Sequence, residues 1–86
     1  MKQRLFSIYD KIAHVYAKPI LMQNAMVAIR SIRDAMENKD HEFAKHPEDY
    51  ALYELGSFDD ISGMIEMNNE GPIRIVFFNE ILEEEK

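Results

Sequence analysis

The sequence predicts an α+β fold: a small antiparallel sheet of four to five strands with one main helix packed on a face, in the order strand, strand, helix, strand, strand, strand. Three observations carry that expectation. Apolar residues alternate at period two near the start, and from residue 50 onward strand-like runs are separated by turn-forming residues. Between them a single stretch repeats at three and four, the helical period. The chain has 86 residues, no internal repeat and no low-complexity linker, which leaves room for one domain. That domain is read as residues 1–78, with residues 79–86 forming an acidic C-terminal tail or a short helix.

Leu5 to Asp10 places Phe6 and Ile8 on one side and Leu5 and Tyr9 on the other, which reads as a strand covered on both faces. Asp10-Lys11 is read as a turn. From Ala13 to Lys18, Ala13, Val15 and Ala17 alternate with His14, Tyr16 and Lys18, the pattern of a half-buried strand that Pro19 ends by lacking an N–H. Asn24 is the expected N-cap of a helix over Ala25 to Met36, whose Ala25, Ala28, Ile29, Ile32, Ala35 and Met36 form one stripe. Asn38 is expected to stop it in the left-handed conformation. The polar segment Glu37 to Glu48 is read as non-helical because Pro47 lies near its end.

Tyr50 to Phe58 and Gly63 to Met67 read as a hairpin closed by Asp59-Asp60-Ile61-Ser62. Asn68 to Pro72 is a second loop. Ile73 to Phe78, apolar except for Arg74, is expected to be a central or well-covered strand. Asn79 is the expected cap of a last helical turn reaching Glu85. One helix on one sheet face leaves the other face open, and Phe78, Val76, Tyr53 and Tyr9 are the residues expected there. A homo-oligomer through that face is the expected consequence, because monomers seldom expose large apolar patches.

Composition narrows the chemistry. There are no cysteines, which excludes a disulfide framework, thiolate catalysis and Cys-ligated zinc. No apolar run approaches the ~20 residues that span a bilayer, and the polar opening lacks the apolar region of a signal peptide, so no membrane association is expected. His41 and His46 are five apart and Pro47 follows, a spacing that takes the second imidazole off the first one's helical face. Gly56, Gly63 and Gly71 are isolated, so no phosphate loop is present, and Ser62 has no histidine beside it in a nucleophile pattern. No enzyme, metal or cofactor is expected.

The net charge of −6 is divided unevenly: residues 1–33 carry +5 and residues 34–86 carry −11. The basic third interleaves Arg4, Lys11, Lys18, Arg30 and Arg33 with Phe6, Tyr9 and Tyr16. Stacking aromatics beside cations are how sheet surfaces hold single-stranded nucleic acid. The bland alternative is that Tyr16 is an amphipathic sheet residue and the cations only solubilise.

A more specific signal is the string Lys45-His46-Pro47-Glu48-Asp49-Tyr50-Ala51-Leu52-Tyr53-Glu54-Leu55-Gly56-Ser57-Phe58-Asp59-Asp60, with Phe6-Ser7-Ile8-Tyr9-Asp10-Lys11 and Ala28-Ile29-Arg30. Over about Leu5 to Gly63 the chain resembles the small nonstructural protein of gokushoviruses, single-stranded DNA phages of the Microviridae. The resemblance implies a non-enzymatic phage protein in the cytoplasm of an infected bacterium. It also implies DNA binding and a part in the switch from duplex genome replication to single-stranded DNA synthesis and packaging, with no catalytic residues. Its partners would be single-stranded DNA or the viral replication and packaging machinery. Lys45, His46, Pro47, Glu48, Asp49 and Tyr50 read first as a rigid helix-to-strand corner, since Pro47 fixes φ and the acids can accept backbone N–H bonds.

Three functional classes follow. The first binds DNA through Arg4, Lys11, Tyr16, Lys18, Arg30 and Arg33. The second is an adaptor whose acidic half docks on a viral or host protein. The third is a hydrolase or nuclease holding a divalent ion on Asp59, Asp60 and Glu66. The DNA reading requires that folding gather the cations of the opening third onto one side.

Overall fold

The computed structural model describes residues 2–84; residue 85, where the terminal helix was expected to end, lies outside them. The fold is α+β, as the sequence predicts. Its elements are β1 (Lys2–Asp10), β2 (Val15–Tyr16), β3 (Ile20–Met22), α1 (Ala25–Met36), α2 (Glu42–Lys45), a 3-10 turn (Pro47–Asp49), β4 (Tyr50–Asp59), β5 (Ile65–Met67), β6 (Ile73–Phe77) and α3 (Phe78–Glu84). All strand pairs are antiparallel.

β1 and β4 pair along their whole length and form the centre of the sheet. β2 and β3 flank β1, and β5 and β6 flank β4. A bulge at Leu55 leaves Leu5 opposite Gly56 and Phe6 opposite Glu54. Because side chains alternate across a strand, the register assigns each residue to a face. Phe6, Ile8, Leu52 and Val76 point toward the helices, where Phe6 and Leu52 are fully buried with Ala28, Ile32 and Met36 of α1 and Phe78 and Ile81 of α3. Phe43 of α2 packs its ring 4.9 Å from that of Phe78 and 5.0 Å from that of Tyr50. All three helices therefore contribute to the layer on one side of the sheet.

α1 has the predicted span, and Asn24 Oδ1 accepts the Val27 N–H at 3.0 Å. Its end differs from expectation. Asn38 is not left-handed; Glu37 is still right-handed, and the Glu37 and Asn38 amides donate to Asp34 and Ala35 at 3.3 Å, so the helix tapers off in tighter turns. The segment read as non-helical contains α2. His41 caps it, accepting the Phe43 N–H on Nδ1, and the single turn ends before Pro47 can obstruct it.

Of the strand expected over Ala13 to Lys18 only Val15 and Tyr16 are extended and paired; Ala13 and His14 belong to a turn, and Ala17 and Lys18 to an irregular stretch. Asp10 Oδ1 accepts the Ile12 and Ala13 amides, the Asp10 carbonyl accepts the His14 N–H, and His14 adopts φ 59°. Only Val15 and Tyr16 pair with β1, and after Pro19 the chain returns to it as β3, which the sequence reading missed. β6 is an edge strand paired with β4 alone among the described residues, and its Ile73 and Arg74 are exposed, so the expectation of a central strand fails. It ends at Phe77. Phe78 opens α3, whose start is secured by Glu80 Oε1 accepting the Phe77 N–H at 2.8 Å, not by Asn79. The boundary drawn at residue 78 therefore falls inside a helix whose Ile81 is a core residue.

The chain also repeats itself, against the sequence reading. Tyr9-Asp10-Lys11-Ile12-Ala13-His14 and Phe58-Asp59-Asp60-Ile61-Ser62-Gly63 form matching turns. His14 and Gly63 both take positive φ, 59° and 76°, and both donate to the aspartate carbonyl, at 2.9 and 2.8 Å. Each turn leads into a short strand, an interruption containing proline (Pro19, Pro72), a second short strand and a helix. The unit is a hairpin followed by a helix, used twice. Sequence identity between the halves is slight, Asp and Ile in the turn and Pro-Ile at the second short strand, too little to register as a repeat.

Candidate nucleic-acid interface

The sheet face opposite the helices has four cross-strand rows, each read from the register. At one end stand Tyr16, Tyr9, Ala51 and Phe77; next come Ser7, Tyr53 and Arg74. Beyond them lie Leu21, Leu5, Gly56 and Met67, and finally Gln3, Phe58 and Ile65.

Tyr9, Tyr16 and Tyr53 form a cluster at the first end. The Tyr9 and Tyr16 ring centroids are 4.6 Å apart, Tyr16 and Tyr53 5.5 Å, and Tyr9 and Tyr53 5.8 Å. Ser7 and Ala51 are buried beneath them, and small side chains there let the rings settle onto the sheet. Ser7 Oγ donates to the Ala17 carbonyl at 2.7 Å, which ties the β2–β3 interruption to β1. Burial raises the Tyr16 phenol above the ordinary tyrosine range, and Tyr53 and Tyr9 push it the same way. Tyr16 nevertheless keeps 45% of its surface accessible. The cluster is an aromatic platform whose Tyr16 phenol stays protonated at neutral pH.

Two cations flank it. Lys11 Nζ lies 4.6 Å and the Arg74 guanidinium 4.3 Å from the centroid of the Phe77 ring. The carboxylates of the strands lie elsewhere. By the same alternation Asp10, Glu54, Asp59 and Glu66 all point to the helix side, leaving Arg74 as the ionised side chain of the open face among the described strand residues.

The residues singled out from the sequence divide between the two faces. Tyr16 and Lys11 belong to this end, and Lys18 is exposed in the interruption between β2 and β3. Arg30 and Arg33 are carried by α1, on the other side of the sheet. Arg4 also points to that side, where its Nε donates to Glu54 Oε1 at 2.7 Å, a bond that raises the guanidinium pKa further. Phe6 is fully buried and offers no stacking surface. The face foreseen from Phe78, Val76, Tyr53 and Tyr9 is likewise split: Phe78 and Val76 pack in or against the core, and only the two tyrosines are on the open side. Folding therefore gathers part of the basic third and separates the rest. Tyr53 and Arg74 were missed as site residues. Arg74 had left a trace, as the one polar residue in an otherwise apolar strand.

The Lys45–Tyr50 string forms the corner between α2 and β4. His46 follows the last residue of α2 and caps the Pro47–Asp49 turn, the Asp49 N–H donates to the His46 carbonyl at 3.0 Å, and the Asp49 carbonyl accepts the Lys11 N–H at 2.9 Å. This last bond ties the corner to the turn that carries Lys11. Ligand atoms of His46, Glu48 and Asp49 lie within 4.8 Å of one another, but His46 and Glu48 are exposed, and acidic turn residues gather this way without an ion. Asp59 serves its own turn: backbone N–H bonds, first from Ile61, hold its carboxyl below the usual range. No helix among the described residues is long and apolar enough to cross a membrane.

Residues 3–81 match the family model described as Phage ORF5 protein. No curated protein and no solved structure matches the chain.

Proposed function

Because the chain belongs to the Phage ORF5 protein family, we propose that it is a phage protein that binds single-stranded DNA on the open face of its sheet. The observation that carries this reading is a tyrosine cluster on a face without strand carboxylates, bordered by Lys11 and Arg74. Bases stack on aromatic side chains at about 1–3 kcal/mol each, whatever their sequence, and cations at the rim meet the phosphates. A net charge of −6 opposes a polyanion at long range, yet beyond about 8 Å at physiological salt the carboxylates of the far side are largely screened. Lys18 extends the basic rim along the β2–β3 interruption.

The role is non-enzymatic: the site stacks and neutralises and has no paired acid and base. The resemblance to the small nonstructural protein of gokushoviruses supplies the biological setting of this proposal. There the protein would act in the bacterial cytoplasm, in the switch from duplex replication to single-stranded DNA synthesis and packaging.

Fluorescence anisotropy with a dye-labelled single-stranded oligonucleotide tests the reading. Binding is expected at low salt, weakening as salt rises, and Tyr16→Ala is expected to reduce affinity by about 5- to 150-fold. Absence of association at tens of micromolar protein in low salt would overturn it.

A further inference from the structure

The other end of the open face has a different chemistry. Leu21, Leu5, Gly56 and Met67 form one row across the sheet, with Phe58 and Ile65 beside them. No ionised side chain stands among them. Leu21, Ile65 and Met67 remain 42%, 59% and 54% exposed. Gly56 is buried with no side chain of its own, so the row dips at its centre between Leu5 and Met67. β1 and β4 are paired on both sides here, while β3 and β5 are the sheet's edges, so the face itself offers a partner an apolar surface.

We infer that this apolar end is covered by a second copy of the chain, packed sheet against sheet, while the tyrosine end stays free. Three observations select that occupant. The chain exposes 5889 Å², whereas a compact monomer of its mass exposes about 5,300 Å². The excess, about 600 Å², approaches the ~800 Å² that each partner gives to a standard stable interface. The radius of gyration is 13.4 Å, in a body of 40 × 24 × 19 Å, against about 12 Å for a compact chain of this length. The molecule is a single sheet with helices on one side only, half of a two-layer sandwich. Lastly, the patch is uncharged in a chain that carries −6; it provides nothing to attract a charged partner, and it suits a copy of itself through an isologous two-fold contact.

The inference is independent of the DNA reading, and salt separates the two. Two copies at −6 each repel, so added salt strengthens the dimer, whereas added salt weakens attachment to a polyanion. Light scattering coupled to size exclusion, run at about 10 and 100 μM protein in low and moderate salt, reads the mass. Twice the 10.1 kDa chain mass is expected, with the dimer fraction rising with salt. Ile65→Glu on β5 and Leu21→Lys on β3 are each expected to give the single-chain mass with an unchanged circular dichroism spectrum, since neither residue is in the core. Tyr16→Ala is expected to remain a dimer. A wild-type chain that stays monomeric at the higher concentration and salt overturns the inference. So do folded Ile65→Glu and Leu21→Lys variants that remain dimeric, or a folded Tyr16→Ala variant that is monomeric. Should either charged variant lose its native spectrum, Met67→Gln, on the same row, is the replacement, and its folded form must also shift toward the single-chain mass.

Discussion

Asp10 and Asp59 hold the same station in two different turns: through Oδ1 each accepts the amide of the isoleucine two residues ahead, at 3.0 Å in both cases. The two turns lie at opposite ends of an antiparallel pair, so the sheet is clamped at both ends by one device.

That device has an acid limit. Asp59 is held below its ordinary pKa, so its stabilising effect is complete above the unfolded value of about 3.9 and is lost as pH falls through the lower folded value. Asp59→Asn keeps an acceptor for the Ile61 amide and removes the titration. Thermal melts between about pH 6 and pH 2.5 should therefore show a shallower acid decline for Asp59→Asn than for the wild type. Asp59→Ala should melt lower at every pH. Identical acid slopes for the wild type and Asp59→Asn would show that this carboxylate does not contribute.

Gly56 sits where β5 crosses closest to β4. A Cβ there would collide with the Glu66 carbonyl oxygen and lie 2.9 Å from Met67 Cα, both backbone atoms that cannot turn aside. Gly56→Ala should cost about 2 kcal/mol or more in urea unfolding, and amide exchange should quicken first in β5.

The terminal helix is part of the core. Ile81 and Phe78 are both fully buried, and the Phe78 ring meets Phe43 edge to face and lies tilted against Tyr50. Ile81→Ala should cost about 2–5 kcal/mol, a large share of the stability available to a domain of this size. Removal of residues 78–86 should leave a chain that fails to give a cooperative melt. A truncated chain that melts like the parent would contradict this packing.

Cations on the two faces should respond differently to DNA. Neutralising Lys11 and Arg74 together should reduce the slope of log affinity against log salt by about 1–2. Arg30→Gln, on the helix side, should leave that slope unchanged. The opposite result, with Arg30 controlling the slope, would move the binding surface to α1.

The helix and the main hairpin were legible because local chemistry decides them. Asn24 caps, the stripe through Ile32 has the helical period, and Asp59 with Gly63 closes a turn. What misled was alternation produced by a turn. Ala13 to Lys18 has period two, yet Asp10 captures the next amides and bends the chain before a strand can form. β6 looked central because it is apolar, but composition does not reveal how many neighbours a strand has. Half of the candidate site was readable from Tyr16 and Lys11. The rest, Tyr53 and Arg74, is joined to them only by the β1–β4 and β4–β6 registers, and Arg74 stands opposite Tyr53 because the β4–β6 register shifts at Ile75, which no local signal announces.

The doubled hairpin bears on how the chain reaches this state. Each hairpin closes locally and can form within about 1–10 μs. The β1–β4 seam unites them across the helical segment, so its partners are far apart in sequence, Tyr9 with Ala51 and Leu5 with Gly56. Such a contact has to wait for loop closure. The rate-limiting event in folding is then the meeting of two preformed halves, and substitutions along the seam should slow folding more than equally destabilising ones in either turn.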